Sequence, residues 1–580
     1  MANPKEARDS AGPAPAGAAT AAPPPPADTV SCTIDGVPVT VPKGTRIIEA
    51  AEIAGVGISH YCYHPGLSAP AMCRQCLVEV QGMPKLQPAC VTTVADGQVV
   101  LTESDRSRAA RESNLEFYLL NHPLDCPICD KAGECKLQDF THAEGRSHGR
   151  SVEPKRVLNQ DDFGGAVLYE GDRCILCTRC VRFMREVAGN DALCVVQRGH
   201  RSVIDTFFEQ GLEGDLWASN IVDICPVGAL LSKDFLHKAR VWDLDKEPSI
   251  CPNCSQGCNI TIETRDNLVA RLRPRANSDV NSYWMCDVGR YGYDWFNRGN
   301  VPTGTLGNAD TIGGGQNPTG RVEQPMVRDR TGRLRAASWQ EAVRALVERL
   351  TALRGRGGVT LVSPMFANED AGLAARLLEV LGGGERLYRS EMAAEEVVCP
   401  GFPRLARRRE LAANGRGLSA MGFRRVGDDS GAGALDALDV TGKLLLVLGD
   451  DLADSGESFG AGAGLFVYLG AFPGAAERNA DFILPVTYFS EQEGTFTNLE
   501  GRVQRFWPAL EPPPLARPAW QVLGVVLAGL EDAPAPASAA SAFLRLGQLH
   551  DAFGGLSYDQ LGARGALLND PVRLAADSRR

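Results

Sequence analysis

Clustered cysteines constrain this chain more than any other feature of its sequence. Sixteen of the eighteen cysteines lie between Cys62 and Cys286. Disulfide scaffolds of that density are typical of small secreted domains. A chain of 580 residues is too long for one hydrophobic core and predicts several domains. The sequence therefore favours reduced thiols that bind metal.

Composition excludes several classes of protein. A formal net charge of −11 argues against a general nucleic-acid binder, which needs a basic face. No apolar run reaches the eighteen or so residues that a membrane span needs, so we expect none. Residues 1–28 are rich in Ala and Pro and lack an apolar centre, which predicts a disordered arm and not a signal peptide.

The N-terminal part reads as a small β-rich domain. Alternating apolar residues at Val30–Ile34 and Val37–Val41, joined by Asp35-Gly36, predict a hairpin. Thr45 is the expected N-cap of a short helix over Arg46–Ala54. Further elements are expected at Cys76–Val80 and Gln98–Leu101 (strands), Arg106–Leu120 (a helix) and Ile260–Arg273 (a hairpin). The segment Asp172–Ala188 is expected to carry its three cysteines into a helical stretch.

The C-terminal half changes character after a Gly- and Pro-rich linker at residues 301–325. Ser338 and Glu341 form a capping box that opens a helix. Short apolar runs at Gly358–Ser363, Lys443–Leu448 and Leu465–Leu469 predict buried parallel strands of an α/β layer domain, and Trp520–Leu530 predicts a last helix. After Ala533 the sequence predicts no folded element.

The first ligand set is Cys62, Cys73, Cys76 and Cys90. Four thiolates can hold a [2Fe–2S] or a [4Fe–4S] cluster, and the small β-rich setting favours [2Fe–2S]. A Rieske site is rejected because Cys73-Arg-Gln-Cys76 supplies no second imidazole, and a zinc ribbon because a second CxxC pair is missing.

The second set is His122, Cys126, Cys129 and Cys135. Three thiolates and one imidazole also suit zinc, and the neighbouring sets favour [4Fe–4S]. A neutral imidazole in place of a thiolate removes one negative charge, which should raise the potential of the cluster.

The third and fourth sets each supply four cysteines. The triplet Cys174, Cys177 and Cys180 has the bacterial ferredoxin spacing and needs a remote fourth ligand. Cys225, which precedes a proline, is favoured over Cys194. The fourth set is Cys251, Cys254, Cys258 and Cys286, for which zinc is the alternative. Cys32, Cys194 and Cys399 are then left over, and Cys399 is interpreted as structural.

The sequence contains no phosphate-binding loop, no GxGxxG between a strand and a helix, and no nucleophile paired with a base. Sites for NADH or flavin would therefore have to come from a partner.

With these four sets in order, the chain resembles the large iron–sulfur subunits of bacterial NADH-quinone oxidoreductase, the respiratory complex I. The motifs that carry the resemblance are His60–Pro65, Cys73–Val80, His122–Asp139, Asp172–Cys180, Cys225–Ala229, Ala480–Pro485 and Glu491–Arg502. The last of these is similar to the molybdopterin oxidoreductase superfamily.

The resemblance implies a multidomain chain of mixed α+β and α/β folds. Its expected parts are a disordered arm (1–28), a β-grasp [2Fe–2S] ferredoxin-like domain (29–105), a [4Fe–4S] domain with three Cys and one His ligand (106–165), a [4Fe–4S] ferredoxin-like domain (166–245), a [4Fe–4S] domain of the Mo/W-bis-MGD type (246–302), a shortened, degenerate molybdopterin-oxidoreductase-like α/β domain (303–530) and a C-terminal tail (531–580).

The resemblance also implies a function. One [2Fe–2S] and three [4Fe–4S] clusters would relay single electrons from a flavin subunit toward quinone-side subunits, with the fourth set off the main path and no molybdopterin bound. The partners would be other peripheral-arm subunits, and the place the cytoplasmic side of the bacterial inner membrane. The alternatives are the catalytic subunit of an NAD-linked molybdenum formate dehydrogenase, an iron-only hydrogenase, and a structural zinc scaffold.

Overall fold

The computed structural model describes residues 28–158, 160–206, 209–298, 321–426, 435, 437–449, 452 and 455–569. The predicted N-terminal arm, apart from Asp28, and residues 301–320 of the predicted linker lie outside these residues. The described chain forms two compact units. The first consists of the residues up to Tyr63, Ala69–Phe117 and Phe140–Gly149, and the second contains the remainder. The predicted multidomain mixture of α+β and α/β folds is confirmed.

The first unit is built on a five-stranded sheet. Its order is Val37–Pro42, Thr29–Ile34, Gln98–Leu101, Leu77–Val80, Gln87–Pro88. The predicted hairpin and the strand at Gln98–Leu101 are confirmed, and Thr29–Ile34 pairs parallel with Gln98–Leu101. Ile34, Ile47 and Val100 are completely buried between this sheet and the helix. Helix Ile47–Ile53 has Arg46 at its N-cap. The predicted cap Thr45 is wrong because its hydroxyl donates to the carbonyl of Pro42 instead.

Among the described residues, the second unit contains five small sheets and one large one. The strands of three small sheets are Leu230–Ser232, Val167–Glu170 and Gln160–Asp162; Leu193–Val196 and Val203–Thr206; and Asp245–Ile250, Asn259–Arg265 and Leu268–Pro274. The strands of the other two are Val397–Val398 and Ala406–Arg407; and Gly494–Thr497, Arg502–Phe506 and Ala566–Leu567. The predicted hairpin at Ile260–Arg273 is confirmed.

The α-helices of the described residues are Ile47–Ile53, Asp105–Leu119, Lys136–Glu144, Arg179–Phe183, Asn220–Ile224, Asp287–Tyr291, Trp339–Ala352, Asn368–Val380, Gly415–Ala420, Ala519–Leu530, Ala539–Leu549 and Tyr558–Leu561. The helical stretch predicted within Asp172–Ala188 begins only at Arg179. Leu176 and Thr178 have positive φ angles, so the chain forms a loop before a helix begins at Arg179 and continues as a π-helix over Met184–Ala188.

The large sheet has eight strands. Their order is Leu334–Ala336, Met326–Arg328, Phe482–Pro485, Leu465–Gly470, Leu444–Leu448, Gly358–Val362, Gly384–Arg389, Arg424–Val426. The last six are parallel to one another, and the first two form an antiparallel hairpin at the edge that pairs antiparallel with Phe482–Pro485. The three predicted buried strands therefore lie together in this sheet, which has the predicted α/β architecture.

Both faces of the large sheet are covered by a hydrophobic core. Successive side chains of a strand point to opposite faces, so each strand contributes to both cores. Leu444, Leu446 and Leu448 belong to a core shared with the helices, whereas Leu445 and Val447 belong to the core on the other face. The longer helices that contribute to the first core are Trp339–Ala352, Asn368–Val380, Ala519–Leu530 and Ala539–Leu549, and the short helices Gly415–Ala420 and Tyr558–Leu561 contribute as well. Ser338 caps the first of these by accepting from the N–H of Glu341.

The C-terminal tail, to which the sequence assigns no fold, is folded up to residue 569. Helix Ala539–Leu549 buries Phe543 and Leu546 against helix Asn368–Val380, and the Tyr558 hydroxyl donates to the buried carboxylate of Glu369 at 2.8 Å. Ala-, Pro- and Ser-rich composition masked an amphipathic pattern that tertiary packing makes stable. Among the described helices, none has the length and apolar character that crossing a membrane would require.

Candidate metal centres

The first ligand set is buried in the first unit. Cys62 lies within hydrogen-bonding reach of Cys73 and Cys90, and Cys90 within reach of Cys76. All four side chains are at most 3% exposed. The thiol of Cys62 and burial together raise the pKa of Cys73 well above its usual range. The structure thus brings all four predicted cysteines of this set together.

Positive φ angles at Ala71 and Arg74 bend the loop that carries Cys73 and Cys76. Helix Asp105–Leu119 supports this loop, because the Asn114 side-chain amide donates to the carbonyl oxygen of Cys73 at 2.9 Å and to Gln75 at 2.8 Å. Sequence reasoning did not identify Asn114, and nothing in its spacing marks it.

The second set lies in the second unit and is closest to the surface. Cys126 is exposed, whereas Cys129 and Cys135 are each 8% exposed. Cys129 is in electrostatic contact with both Cys126 and Cys135. His122 lies beside Asp125 and Arg173, and Arg173 forms an ion pair with Asp125 at 2.9 Å. Burial raises the pKa of the Cys129 thiol, and the positive charge of Arg173 partly opposes this rise.

The imidazole of His122 suits a metal ligand. Burial, together with Lys155 and Arg173, lowers the pKa of His122 to about 4, so the ring is neutral at physiological pH. Its Nδ1 atom is buried and has no hydrogen-bond partner among the described residues. A neutral imidazole with an unsatisfied buried nitrogen fits the predicted ligand role.

Gly228 packs against the second set, and sequence reasoning did not identify it. A Cβ atom at Gly228 would lie 2.2 Å from Sγ of Cys129 and 3.2 Å from Cβ of Lys131. Gly228 follows Cys225 by three residues, and the backbone N–H of Lys136 donates to the carbonyl of Pro226 at 2.9 Å. The segment that carries a cysteine of the third set therefore packs directly on the second set.

The third set lines one cavity. Cys174, Cys177, Cys180 and Cys225 all contribute to its wall, and Cys180 is in electrostatic contact with the other three. Burial raises the pKa of Cys177 to about 12. Cys194 does not line this cavity; it lies on strand Leu193–Val196 with its Sγ 3.8 Å from the carbonyl oxygen of Asp205.

Two kinds of donor face the sulfur of Cys174. The backbone N–H of Leu176 lies 3.4 Å from it, and the hydroxyl of Tyr169 donates to it as well. Tyr169 is buried on the neighbouring strand Val167–Glu170 and was missed by sequence reasoning. Of the arginines near this set, Arg173 and Arg179 are buried, and Arg179 donates to the carbonyl of Ile224 at 3.0 Å, so these two do not form a solvated basic face.

The fourth set is buried beneath the α/β part of the chain. Cys258 is in electrostatic contact with Cys251, Cys254 and Cys286. The backbone N–H of Gly289 donates to Sγ of Cys286 at 3.3 Å, and a Cβ atom at Gly289 would lie 3.1 Å from Sγ of Cys251. All four cysteines are at most 7% exposed.

The Glu491–Arg502 motif and the strand Arg502–Phe506 that follows it help to hold the fourth set. The Gln504 side chain donates to the carbonyl of Gly257 at 2.9 Å, and the Asn498 side chain donates to the carbonyl of Gln256 at 3.2 Å. The motif that resembles molybdopterin enzymes therefore supports the cysteine loop.

Backbone N–H groups two residues after a cysteine donate to its sulfur in the last three sets. Such donors stabilise a thiolate and influence the potential of a cluster. The pairs are Lys131 to Cys129, Leu137 to Cys135, Leu176 to Cys174, Arg179 to Cys177, Asn253 to Cys251 and Gln256 to Cys254. This repeated geometry, the four-cysteine cavity and the donor chemistry fit iron–sulfur clusters.

Within the described residues, no three His, Cys, Asp or Glu side chains meet the requirements of a bare metal ion. An iron–sulfur cluster places its own irons and sulfides between the protein ligands, so its ligands need not converge on one point. Cys399, predicted to be structural, is completely buried with its Sγ 3.4 Å from the carbonyl of Val187.

Comparison with known families agrees with the order of these sets. The matching family models are the 2Fe-2S iron-sulfur cluster binding domain (27–105), the NADH-ubiquinone oxidoreductase-G iron-sulfur binding region (111–150), the ferredoxin-like domain of NADH-quinone oxidoreductase subunit 3 (164–231), the molybdopterin oxidoreductase Fe4S4 domain (244–298) and molybdopterin oxidoreductase (321–400 and 409–528). Domains that bind 2Fe-2S and 4Fe-4S clusters are therefore present.

Curated relatives point to one family. The G 2 subunit of the NADH-quinone oxidoreductase of Rhizobium meliloti is 38% identical over 64% of this chain, and the G subunit of the Rickettsia bellii enzyme is 37% identical over 56%. The chain is similar to these G subunits of NADH-quinone oxidoreductase over the aligned residues. The iron-sulfur protein 1 of mitochondrial NADH dehydrogenase [ubiquinone] from Solanum tuberosum is 41% identical over 58% of the chain.

The chain spans less than half the length of those relatives, since the alignments cover 40%, 44% and 42% of them in the order given. A solved structure described as NAD+-reducing [NiFe]-hydrogenase in the H2-reduced state is 29% identical, with a TM-score of 0.34, over 37% of this chain and 91% of that one.

Proposed function

We propose that this chain is the iron–sulfur electron-transfer subunit of NADH-quinone oxidoreductase, relaying single electrons from a flavin subunit toward quinone. In the whole complex this transfer is coupled to proton translocation. The names of the curated relatives support the assignment. No complete substrate site is assigned to this chain, so NADH and quinone are bound by partner subunits of the peripheral arm.

The observation that carries the proposal is the short link between two ligand sets. Cys225 lines the cavity of the third set, and Gly228 packs on Cys129 of the second. Three residues span at most about 11 Å when fully extended, so these two centres are close neighbours. Neighbouring redox centres on one chain are what an electron relay requires.

The ligand sets carry over from the sequence as part of the proposal. A [2Fe–2S] cluster is held by the first set, and [4Fe–4S] clusters by the second, third and fourth, which makes about fourteen irons per chain. When bound, these clusters supply one-electron oxidation and reduction. The chain itself supplies thiolate and imidazole ligands, N–H donors to sulfur, and burial that excludes water.

The second set is the proposed point of exchange with a partner. Cys126 is exposed, and its neighbours Leu124 and Ile128 are 87% and 64% exposed. Exposed apolar side chains beside a redox centre suit a protein interface. We assign this face to a quinone-side subunit, with the chain lying peripherally on the cytoplasmic side of the inner membrane.

The test is to purify the full chain anaerobically, count iron, sulfide and zinc, and record low-temperature EPR spectra after dithionite reduction. We expect about fourteen irons with matching sulfide, and signals from both cluster types. In the assembled complex, NADH should reduce the centres that give these signals. A colourless protein that contains several zincs and no sulfide would establish a zinc scaffold instead.

A further inference from the structure

An internal cavity of the second unit is lined by charged side chains from several elements, including Lys131, Glu134, Asp223, Arg271, Arg273 and Arg290. We call it the charged cavity. Arg271 and Arg273 lie two residues apart on strand Leu268–Pro274, so their side chains leave the same face of the sheet. Leu272 between them is buried on the other face. The strand therefore directs two guanidinium groups into the cavity.

One carboxylate of the charged cavity belongs to the second ligand set's loop. Glu134 directly precedes Cys135 and accepts from Arg273 at 2.8 Å and from Arg271 at 3.0 Å. The Lys131 ammonium lies 3.7 Å away. These three cations surround the Glu134 carboxylate.

A second carboxylate belongs to the segment before the third set's remote cysteine. Asp223 precedes Cys225 by two residues, and it accepts from Nε of Arg273 at 3.2 Å. Arg290, which lies on the helix capped by Cys286, pairs with the other oxygen of Asp223 at 2.6 Å. Arg273 is thus in direct contact with carboxylates that neighbour two different candidate centres.

Arg273 shares its single positive charge between Glu134 and Asp223. Arg271, Arg290 and Lys131 also contact these two carboxylates, while Glu263 and Asp287 pair with Arg271 and Arg290. A positive charge inside a protein favours electron uptake by a nearby anionic centre, because low effective dielectric extends its reach. Removing one cation stabilises the oxidised form and lowers the potential.

We propose that Arg273 is a positioning residue shared by the second and third centres. Through Glu134 and Asp223 it fixes both ligand segments, and its charge holds both reduction potentials up together. This inference rests on the proposed function, because it requires clusters at both sets. A unit charge about 10 Å away, in an effective dielectric constant of about 20, changes a reduction equilibrium by roughly tenfold. For a one-electron couple, tenfold corresponds to about 59 mV.

The experiment is an EPR-monitored redox titration of the full chain with its clusters assembled. Arg273→Gln should lower the potentials of both the second and third centres by about that amount. Arg273→Lys keeps the charge and should restore both potentials toward their original values. The matched control is Arg271→Gln. Arg271 contacts Glu134 and Glu263 and stacks on Phe235. The Asp223 carboxylate pairs instead with Arg273 and Arg290. Arg271→Gln should lower the reduction potential of the second centre more than that of the third.

Three results would overturn the inference. They are unchanged potentials in an Arg273→Gln variant with full iron content, a shift of one centre alone, or equal shifts of both centres in Arg271→Gln. If Arg273→Gln loses iron, Arg273→Lys decides: retained clusters at near-original potentials support the charge role, and lost clusters show that only the shape of arginine matters. A wild-type chain without iron–sulfur clusters would instead refute the proposed function itself.

Discussion

Replacing Gly228 by alanine tests whether the second and third ligand sets are packed together as the structure shows. Gly228 does not have a positive φ angle, so alanine meets no backbone penalty there. The whole cost is steric, because the new Cβ atom would lie 2.2 Å from Sγ of Cys129. An unstrained contact needs about 3.5–4.0 Å, so the sulfur or the segment around Gly228 must move by about 1.5 Å.

A displacement of that size is large for a cluster ligand. Overpacking of a buried site costs about 1–3 kcal/mol. We expect the Cys129 side chain to avoid this cost by leaving its ligand position. We expect Gly228→Ala to lose the second centre's EPR signal and about four irons per chain. The signal of the first centre should remain, because its four cysteines lie in the other unit.

Gly57→Ala is the matched control. Gly57 has no positive φ angle and no neighbouring atom within 4 Å of an added Cβ. That variant should keep all irons and all signals. If Gly228→Ala also kept the second centre's signal and full iron content, the proposed packing of Gly228 on Cys129 would be wrong.

Four further substitutions test separate parts of the structure. His122→Cys should lower the potential of the second centre in a redox titration, since a thiolate adds negative charge; an unchanged potential argues against His122 as a ligand. Cys225→Ser should damage the third centre's EPR signal and Cys194→Ser should not, and the reverse result would reassign the ligand. Burial raises the pKa of Glu369 from 4.5 to about 8, so its contribution to stability is present at low pH and lost as pH rises through that window. Glu369→Gln should remove this pH dependence of the free energy of unfolding, which amounts to a few kcal/mol when urea unfolding is compared at about pH 5 and about pH 8. A pH dependence equal to that of the wild type would contradict the raised pKa.

The local elements of the fold were predictable because their signals are short in sequence. Alternation and Asp35-Gly36 determine the first hairpin, and the apolar runs at Leu444–Leu448 and Leu465–Gly470 require burial on both faces. Cap positions were less predictable. Thr45 has the right chemistry for an N-cap, yet a nearby carbonyl attracts its hydroxyl.

The C-terminal helix Ala539–Leu549 was not predicted, because its sequence signal is weak without a partner. Phe543 and Leu546 become core residues only where helix Asn368–Val380 provides a surface. Helices of this length are marginal in isolation, so tertiary packing decides whether they form.

The sequence by itself determined the number and kind of candidate ligands, because cysteine spacing within a loop limits which sulfurs can meet. The tertiary structure decided the long-range choices. It brought Cys225 rather than Cys194 to the triplet, placed Gly228 on Cys129, and directed Arg273 toward two carboxylates. These contacts join residues far apart in the chain, and their positions depend on how strands and helices pack, which spacing does not encode.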